Sequence, residues 1–248
     1  GYSFKPWEGA KAIADGPSIL DYVRETAAEH AVDQHIRYGH RLLSASWSSE
    51  QSIWTLEIRQ SDSDKTVQMT CNFLYMCSGY YSYETPHDPK FPEIASFKGQ
   101  VIRPQFWPED LDYQDKTVVI IGSGATAMTL VPAMAKKAKQ VTMLQRSPTY
   151  VLSRPSEDWF ANGLRRIMPP TWAYAVTRFR NTLFQEVLFK QARKYPAMAK
   201  RLLIRQLRKQ LGKDYDVEKH FTPNYNPWDQ RLCLVPDDDL FNAISSGS

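Results

Sequence analysis

The sequence has little of what would place it outside a reducing compartment or across a bilayer. Its three cysteines, Cys71, Cys77 and Cys233, are scattered, form no CxxC pair and leave an odd count. That pattern argues against a disulfide framework and predicts buried, inert thiols in a reducing, cytoplasmic setting. No apolar run approaches the ~20 residues that a membrane-spanning helix needs, and no signal peptide is visible. Charge is nearly balanced as well, with 31 Lys and Arg against 27 Asp and Glu and a formal net charge of only +4. Ser123 lacks the G-x-S-x-G spacing of a nucleophile elbow. His30, His35 and His40 do not share a helical face and have no carboxylates at ligand spacing, so no metal site is expected. Asp237, Asp238 and Asp239 read as the acidic start of a short helix that runs through Ile244.

Hydrophobic residues make up 42% of the chain, and 7 Trp, 13 Tyr and 11 Phe argue for a folded globular protein. One stretch is more specific than the rest: KTVVIIGSGATA, from Lys116 to Ala127. Val118 to Ile121 are consecutive β-branched residues, the pattern of a parallel strand buried on both faces. Gly122 allows the tight turn of a dinucleotide fingerprint, and Gly124 removes a side chain where backbone approaches a pyrophosphate. Ala127 takes the third position and still permits close packing of helix on strand. A helix over 126–137 then turns its N-terminal N–H groups toward the phosphates.

A second strand, Gln140 to Arg146, completes a βαβ unit of the required length. Where an NAD-binding unit carries an acidic residue at the end of this strand, the chain has Arg146 followed by Ser147. This pair cannot accept hydrogen bonds from ribose hydroxyls but can bind a 2′-phosphate, so NADPH is favoured over NADH.

Elsewhere the chain alternates in character. An irregular lead-in gives way to an amphipathic helix over 18–31, capped by Ser18, with Ile19, Leu20, Val23 and Ala27 on its buried face. A short strand at 35–38 precedes alternating segments over 41–70, read as a three-stranded antiparallel meander with Leu43, Ala45 and Trp47 facing one way on its first strand. Phe73 to Gly79 reads as a buried strand ending where a second cofactor comes close to backbone, a plain strand end being the alternative. Residues 80–112 are rich in proline and aromatics and read as an interdomain linker. Helices follow over 159–168, 172–195 and 197–211. These helices are basic, through residues such as Lys190, Arg193, Arg201 and Arg208. A solvated face explains that, with peripheral contact to an anionic membrane as the alternative. No nucleic-acid partner is expected, because aromatic-interleaved RNA motifs are lacking.

FKGQVIRPQFWP, from Phe97 to Pro108, resembles the F-x-G-x-x-x-H-x-x-x-W-P fingerprint of Baeyer–Villiger monooxygenases. MCSGY, from Met76 to Tyr80, resembles the flavin-domain strand end of the same family, and NPWDQRLCLVP, from Asn226 to Pro236, is similar to its ethionamide-activating branch. The resemblance covers essentially the whole chain. It implies an α/β fold: a partial FAD-binding domain with an antiparallel meander over 1–98, a linker over 99–111, and a Rossmann-type NADPH domain over 112–248 with a helical insertion at about 156–215.

The same resemblance implies FAD and NADPH as cofactors, O2 as co-substrate, and a small ketone or sulfide as substrate. One oxygen is inserted into a ketone, or the same flavin peroxide oxidises sulfur or nitrogen. The pyrophosphate of NADPH falls to Gly122, Ser123, Gly124, Ala125, Thr126 and Ala127, and the 2′-phosphate to Arg146 and Ser147. Ser78 and Gly79 face FAD, and Gln230 stands where relatives carry a lysine. Arg231 matches the family's active-site arginine, a permanent cation that stabilises the anionic peroxide and orients the nicotinamide. Two departures stand out: the fingerprint histidine is Arg103, and the family's first GxGxxG is not in the chain. Both the missing motif and a start at Gly1 imply the middle of a longer enzyme, whose alternative reading is an NADP-binding fragment without turnover.

Overall fold

The computed structural model describes residues 1–79 and 81–247. Its chain divides into two compact units, one made of residues 1–20 and 107–248 and the other of residues 21–106. Helix α1 (Gly16–Glu29) runs across the boundary between them. The Asp15 carboxylate, rather than Ser18, opens this helix, accepting from the Ser18 N–H at 2.9 Å and from its hydroxyl at 2.8 Å. Those bonds hold the Asp15 carboxyl below its ordinary range. Contrary to the expected buried face, Ile19, Leu20 and Val23 are exposed and only Thr26 is buried. Apolar periodicity marks a face shaped for packing, without specifying what packs on it.

In the 21–106 unit, β1 (His40–Ser48), β2 (Ile53–Gln60) and β3 (Thr66–Cys71) form the antiparallel meander in the order β1-β2-β3. Trp47 pairs with Trp54 across the sheet, their rings 5.4 Å apart, while Leu56 and Ile58 supply the buried face. A register shift between Leu42 and Ser44 breaks the alternation expected of Leu43, Ala45 and Trp47. The stretch 35–38 is not a strand, since a 3₁₀ turn occupies Asp33–His35. Phe73 to Gly79 is not a strand either, and Phe73 is 78% exposed. Among the described residues no strand pairs with it, and an unpaired strand cannot satisfy its backbone. Tyr80, the end of the motif that starts at Met76, lies outside the described residues. Cys77 is exposed rather than buried.

The other unit is built on parallel pairs. β4 (Thr117–Ile121) pairs with β5 (Gln140–Leu144) in register Thr117↔Gln140 through Ile121↔Leu144, with α2 (Ala125–Met134) as the crossover. Only one face of β4 is covered: Ile120 is buried, whereas Val119 is 57% and Ile121 53% exposed. The β-branched run signals a strand correctly, but burial on both faces needs a second layer that the described residues do not supply. A second parallel pair joins β6 (Tyr150–Arg154) to β7 (Leu232–Pro236).

Between β6 and β7 lie α3 (Trp159–Ile167), α4 (Pro170–Lys194), α5 (Pro196–Leu211) and α6 (Val217–Phe221), and α7 (Asp239–Ser245) follows β7. Pro170 and Pro196 occupy first helical positions, where a missing N–H costs nothing. Asp158 caps α3 by accepting from Phe160 and Ala161 N–H groups, both at 3.1 Å. Asp237 does not cap α7; its carboxylate accepts instead from Ser156 N–H at 2.8 Å. The core joins α2, α5, α6 and α7 to β4, β6 and β7 through Met128, Val131, Leu207, Phe221, Val235 and Phe241.

Candidate functional site

β4 delivers its chain directly into the glycine turn. Gly122 donates its N–H to the Leu144 carbonyl at 2.8 Å, extending the parallel ladder by one bond. Its φ of +137° is a conformation that side-chain-bearing residues rarely adopt. Gly124 needs its hydrogen for another reason. Its φ of −83° and ψ of 179° suit any residue, but a Cβ there would meet Arg231 Nη1 at 3.2 Å. The arginine guanidinium therefore lies directly against the turn.

The start of α2 is bare of competing groups. No side chain caps it, and no acidic residue occupies its first turn. Its N-terminal N–H groups and positive dipole end are thus available to an anion. Ser123 is buried and donates from Oγ to the Ser147 carbonyl at 3.3 Å, tying the turn to the end of β5. Arg146 and Ser147 are exposed there, and Arg146 makes no ion pair among the described residues. Gly122 through Ala127, Ser147 and Arg231 are thereby gathered at one place, with Arg146 next to Ser147 in the chain.

Arg231 is held by groups that sequence reading missed. The Tyr225 hydroxyl donates to the Arg231 carbonyl at 3.1 Å, and Thr149 Oγ1 lies 2.9 Å from the Tyr225 oxygen and 3.5 Å from the same carbonyl. Tyr150 donates its hydroxyl to the Tyr225 carbonyl at 2.7 Å and meets the Tyr225 ring edge-on at 5.4 Å. Thr149 and Tyr150 are buried. Burial, followed by the Tyr225 and Asp229 charges, pushes the Tyr150 hydroxyl up to about 12. Burial also raises the Cys233 thiol, with Arg231 pulling it the other way.

The helical insertion grips the same segment from outside. Arg193 of α4 pairs with Asp229, the Phe189 ring packs against Trp228 at 5.8 Å, and Lys200 of α5 donates to the Pro223 carbonyl at 2.7 Å. Asp229 donates its N–H to the Asn226 carbonyl at 3.0 Å, closing a turn through Trp228 with φ +72°. Gln230 is exposed. The proximity of Thr149 and Tyr150 to Arg146 in sequence, and the density of aromatics after Asn224, were the available signals.

The remaining expected positions lie in the 21–106 unit. Ser78 and Gly79 are exposed; the Ser78 carbonyl accepts from Tyr83 at 3.0 Å, and Gly79 has φ +72° with open space around it. Within the fingerprint, Arg103 pairs with Asp88 at 2.9 Å. The Phe97 ring lies over Gly99, where a Cβ would come within 2.6 Å of it. Among the described residues no group of three or more His, Cys, Asp or Glu is placed to hold a metal ion. No helix among them is long and apolar enough to cross a membrane.

Proteins similar to this chain in sequence or in fold include several named as monooxygenases. The FAD-containing monooxygenase EthA of Mycobacterium tuberculosis is 50% identical over 248 residues, covering all of this chain and 50% of that protein. The probable FAD-binding monooxygenase AlmA of an Acinetobacter species is 48% identical over 248 residues, again with all of this chain and 50% of that protein covered. This chain therefore spans about half the length of the curated relatives it matches. Among solved structures, an oxidised steroid monooxygenase bound to NADP superposes with a TM-score of 0.74 at 20% identity, over 99% of this chain and 53% of that one. The OTEMO complex with FAD and NADP gives 0.72 at 19% identity, over 97% and 52%. A family model described as "Flavin-binding monooxygenase-like" matches residues 12–216, and the chain belongs to that flavin-binding monooxygenase-like (FMO-like) family.

Proposed function

We propose that the chain is the NADPH-binding portion, with part of the FAD-binding portion, of a Baeyer–Villiger monooxygenase that inserts one oxygen atom from O2 into a ketone. The observation that carries this reading is the meeting of a bare helix start, a glycine turn and the Arg231 guanidinium at the end of a parallel strand pair. A pyrophosphate needs such N–H donors and a nearby cation. Arg146 and Ser147, held beside that turn through Ser123, are the groups for the 2′-phosphate. Ser78, Gly79 and Gln230 are assigned to backbone and rim contacts with the cofactors. Bound FAD, reduced by NADPH, supplies the oxygen activation. The ketone class rests on the fingerprint from Phe97 to Pro108. Arg103, replacing its histidine, is committed to Asp88 in an exposed pair worth about 0–1 kcal/mol.

Residues of this chain supply binding and orientation. Arg231, the expected active-site arginine that stabilises the peroxide and orients the nicotinamide, is always charged and from its place against the turn also holds the negative charge of the dinucleotide, and Ala127 keeps helix and strand close enough for the N–H groups to converge. Peripheral membrane contact through the basic helices draws less support, because Lys190, Arg193 and Arg208 are paired with Glu186, Asp229 and Glu218.

The test is binding of NADPH and NADH to the purified chain by calorimetry, with and without Arg146→Ala. NADPH should bind at least about tenfold more tightly, and the substitution should abolish that difference. Equal affinities in the unsubstituted chain refute the Arg146 assignment. Flavin retained after FAD is added and the excess removed, followed by an ester product from a ketone, supports the full reading. Oxidation of a sulfide alone replaces it with heteroatom oxidation, and no retained flavin leaves an NADP-binding module.

A further inference from the structure

We infer that Tyr225 is a positioning residue for Arg231, setting the chain's affinity for the pyrophosphate of the dinucleotide; this rests on the proposed NADPH-binding reading. The guanidinium against Gly124 belongs to a long, exposed side chain without an ion pair among the described residues. No hydrogen bond or ion pair among the described residues locks its tip. What is fixed is its backbone. The Arg231 carbonyl sits under two hydroxyls, Tyr225 at 3.1 Å and Thr149 at 3.5 Å.

The hydroxyl hydrogens allow one consistent arrangement that uses the shortest contacts. Tyr225 donates to Arg231, Thr149 donates to the Tyr225 oxygen at 2.9 Å, and Tyr150 donates to the Tyr225 carbonyl at 2.7 Å. Tyr225 is thus held at both its main chain and its hydroxyl by buried residues of the segment that follows Arg146 and Ser147. Ser147, immediately before it, supplies the carbonyl bound by Ser123 in the glycine turn. Arg231 and the turn are therefore referenced to a single stretch, residues 147–150, with Tyr225 as the link to the arginine. A hydroxyl that fixes a backbone beside a free cation lowers the cost of ordering that cation on a ligand.

The test is a double-mutant cycle on the 248-residue chain with Tyr225→Phe and Arg231→Ala, read by calorimetry with NADP+ and with adenosine 2′-monophosphate. The second probe carries the 2′-phosphate but no pyrophosphate. Tyr225→Phe should weaken NADP+ binding by about threefold to tenfold, from the loss of one hydrogen bond. It should leave the 2′-monophosphate unaffected and add nothing once Arg231 is already alanine. Thr149→Val should show the same pattern more weakly.

A Tyr225→Phe effect that persists in the Arg231→Ala background, or that weakens both probes alike, assigns Tyr225 to general structure and overturns the inference. Unchanged NADP+ affinity in Tyr225→Phe overturns the inference alone. Failure of the unsubstituted chain to bind NADP+ overturns the dinucleotide reading, and the inference with it.

Discussion

Gly122 and Gly124 stand two residues apart, yet alanine at each should fail in a different way. At Gly122, with φ +137° and open space where a Cβ would go, the penalty is conformational. Holding an L residue there costs on the order of 1–3 kcal/mol. In a chain of this size that lowers the melting temperature by about 2–12 °C. At Gly124 the backbone is ordinary, and alanine should gain about 0.4–1 kcal/mol by restricting the unfolded chain. Its Cβ, however, arrives 3.2 Å from Arg231 Nη1. The exposed guanidinium moves aside at little cost to folding, and a dinucleotide then loses one charge-assisted hydrogen bond, about 1.5–3 kcal/mol. That corresponds to on the order of a tenfold to hundredfold weaker Kd. Thermal unfolding and NADP+ calorimetry on both variants separate the effects. Gly122→Ala melting with the parent would refute the conformational argument, and Gly124→Ala binding NADP+ as tightly as the parent would refute the close-approach argument.

Two further outcomes follow from the hydrogen-bonded groups. Tyr150, raised to about 12 against about 10 in the unfolded chain, contributes stability that is full below pH 10 and lost as the pH rises toward 12. The loss is on the order of 2–3 kcal/mol, and urea unfolding across that window should show a shallower decline in Tyr150→Phe than in the parent; parallel declines would refute it. Asp158 is pushed up by burial, but the Ala161 N–H and the Arg180 guanidinium outweigh this and leave its pKa lowered. Its contribution is present above the ordinary carboxylate range and lost as the pH falls through the lowered value. Asp158→Ala should cost about 1–2 kcal/mol at neutral pH, with the difference from the parent shrinking in acid; a constant difference would show that the charge is irrelevant.

The strand, turn and helix from Thr117 to Met134 were legible because their determinants are local: a β-branched run, two glycines, then helix formers. The insertion helices were legible within two or three residues because Pro170 and Pro196 punctuate them. Failures came where a decision depended on something distant in sequence. The exposed faces of β4 and α1 look apolar in sequence whether or not a layer covers them. Phe73 to Gly79 has strand composition but no strand to pair with among the described residues. β6 and β7 escaped notice because a parallel partner across four helices leaves no turn signal to mark the pairing.

That unread pairing is what makes the candidate site. Register Tyr150↔Leu232 sets Thr149 beside Arg231 and brings the arginine back to a glycine turn far earlier in the chain. The helices between β6 and β7 consequently do more than fill space, since Arg193 and Phe189 of α4 hold Asp229 and Trp228, immediately before Gln230 and Arg231. A substitution such as Arg193→Ala removes an exposed ion pair of little worth to folding. It also frees one side of the turn that carries the arginine. Its signature should be weakened NADP+ binding with an unchanged melting temperature, and equal losses in both would mean that α4 supports the fold without steering Arg231.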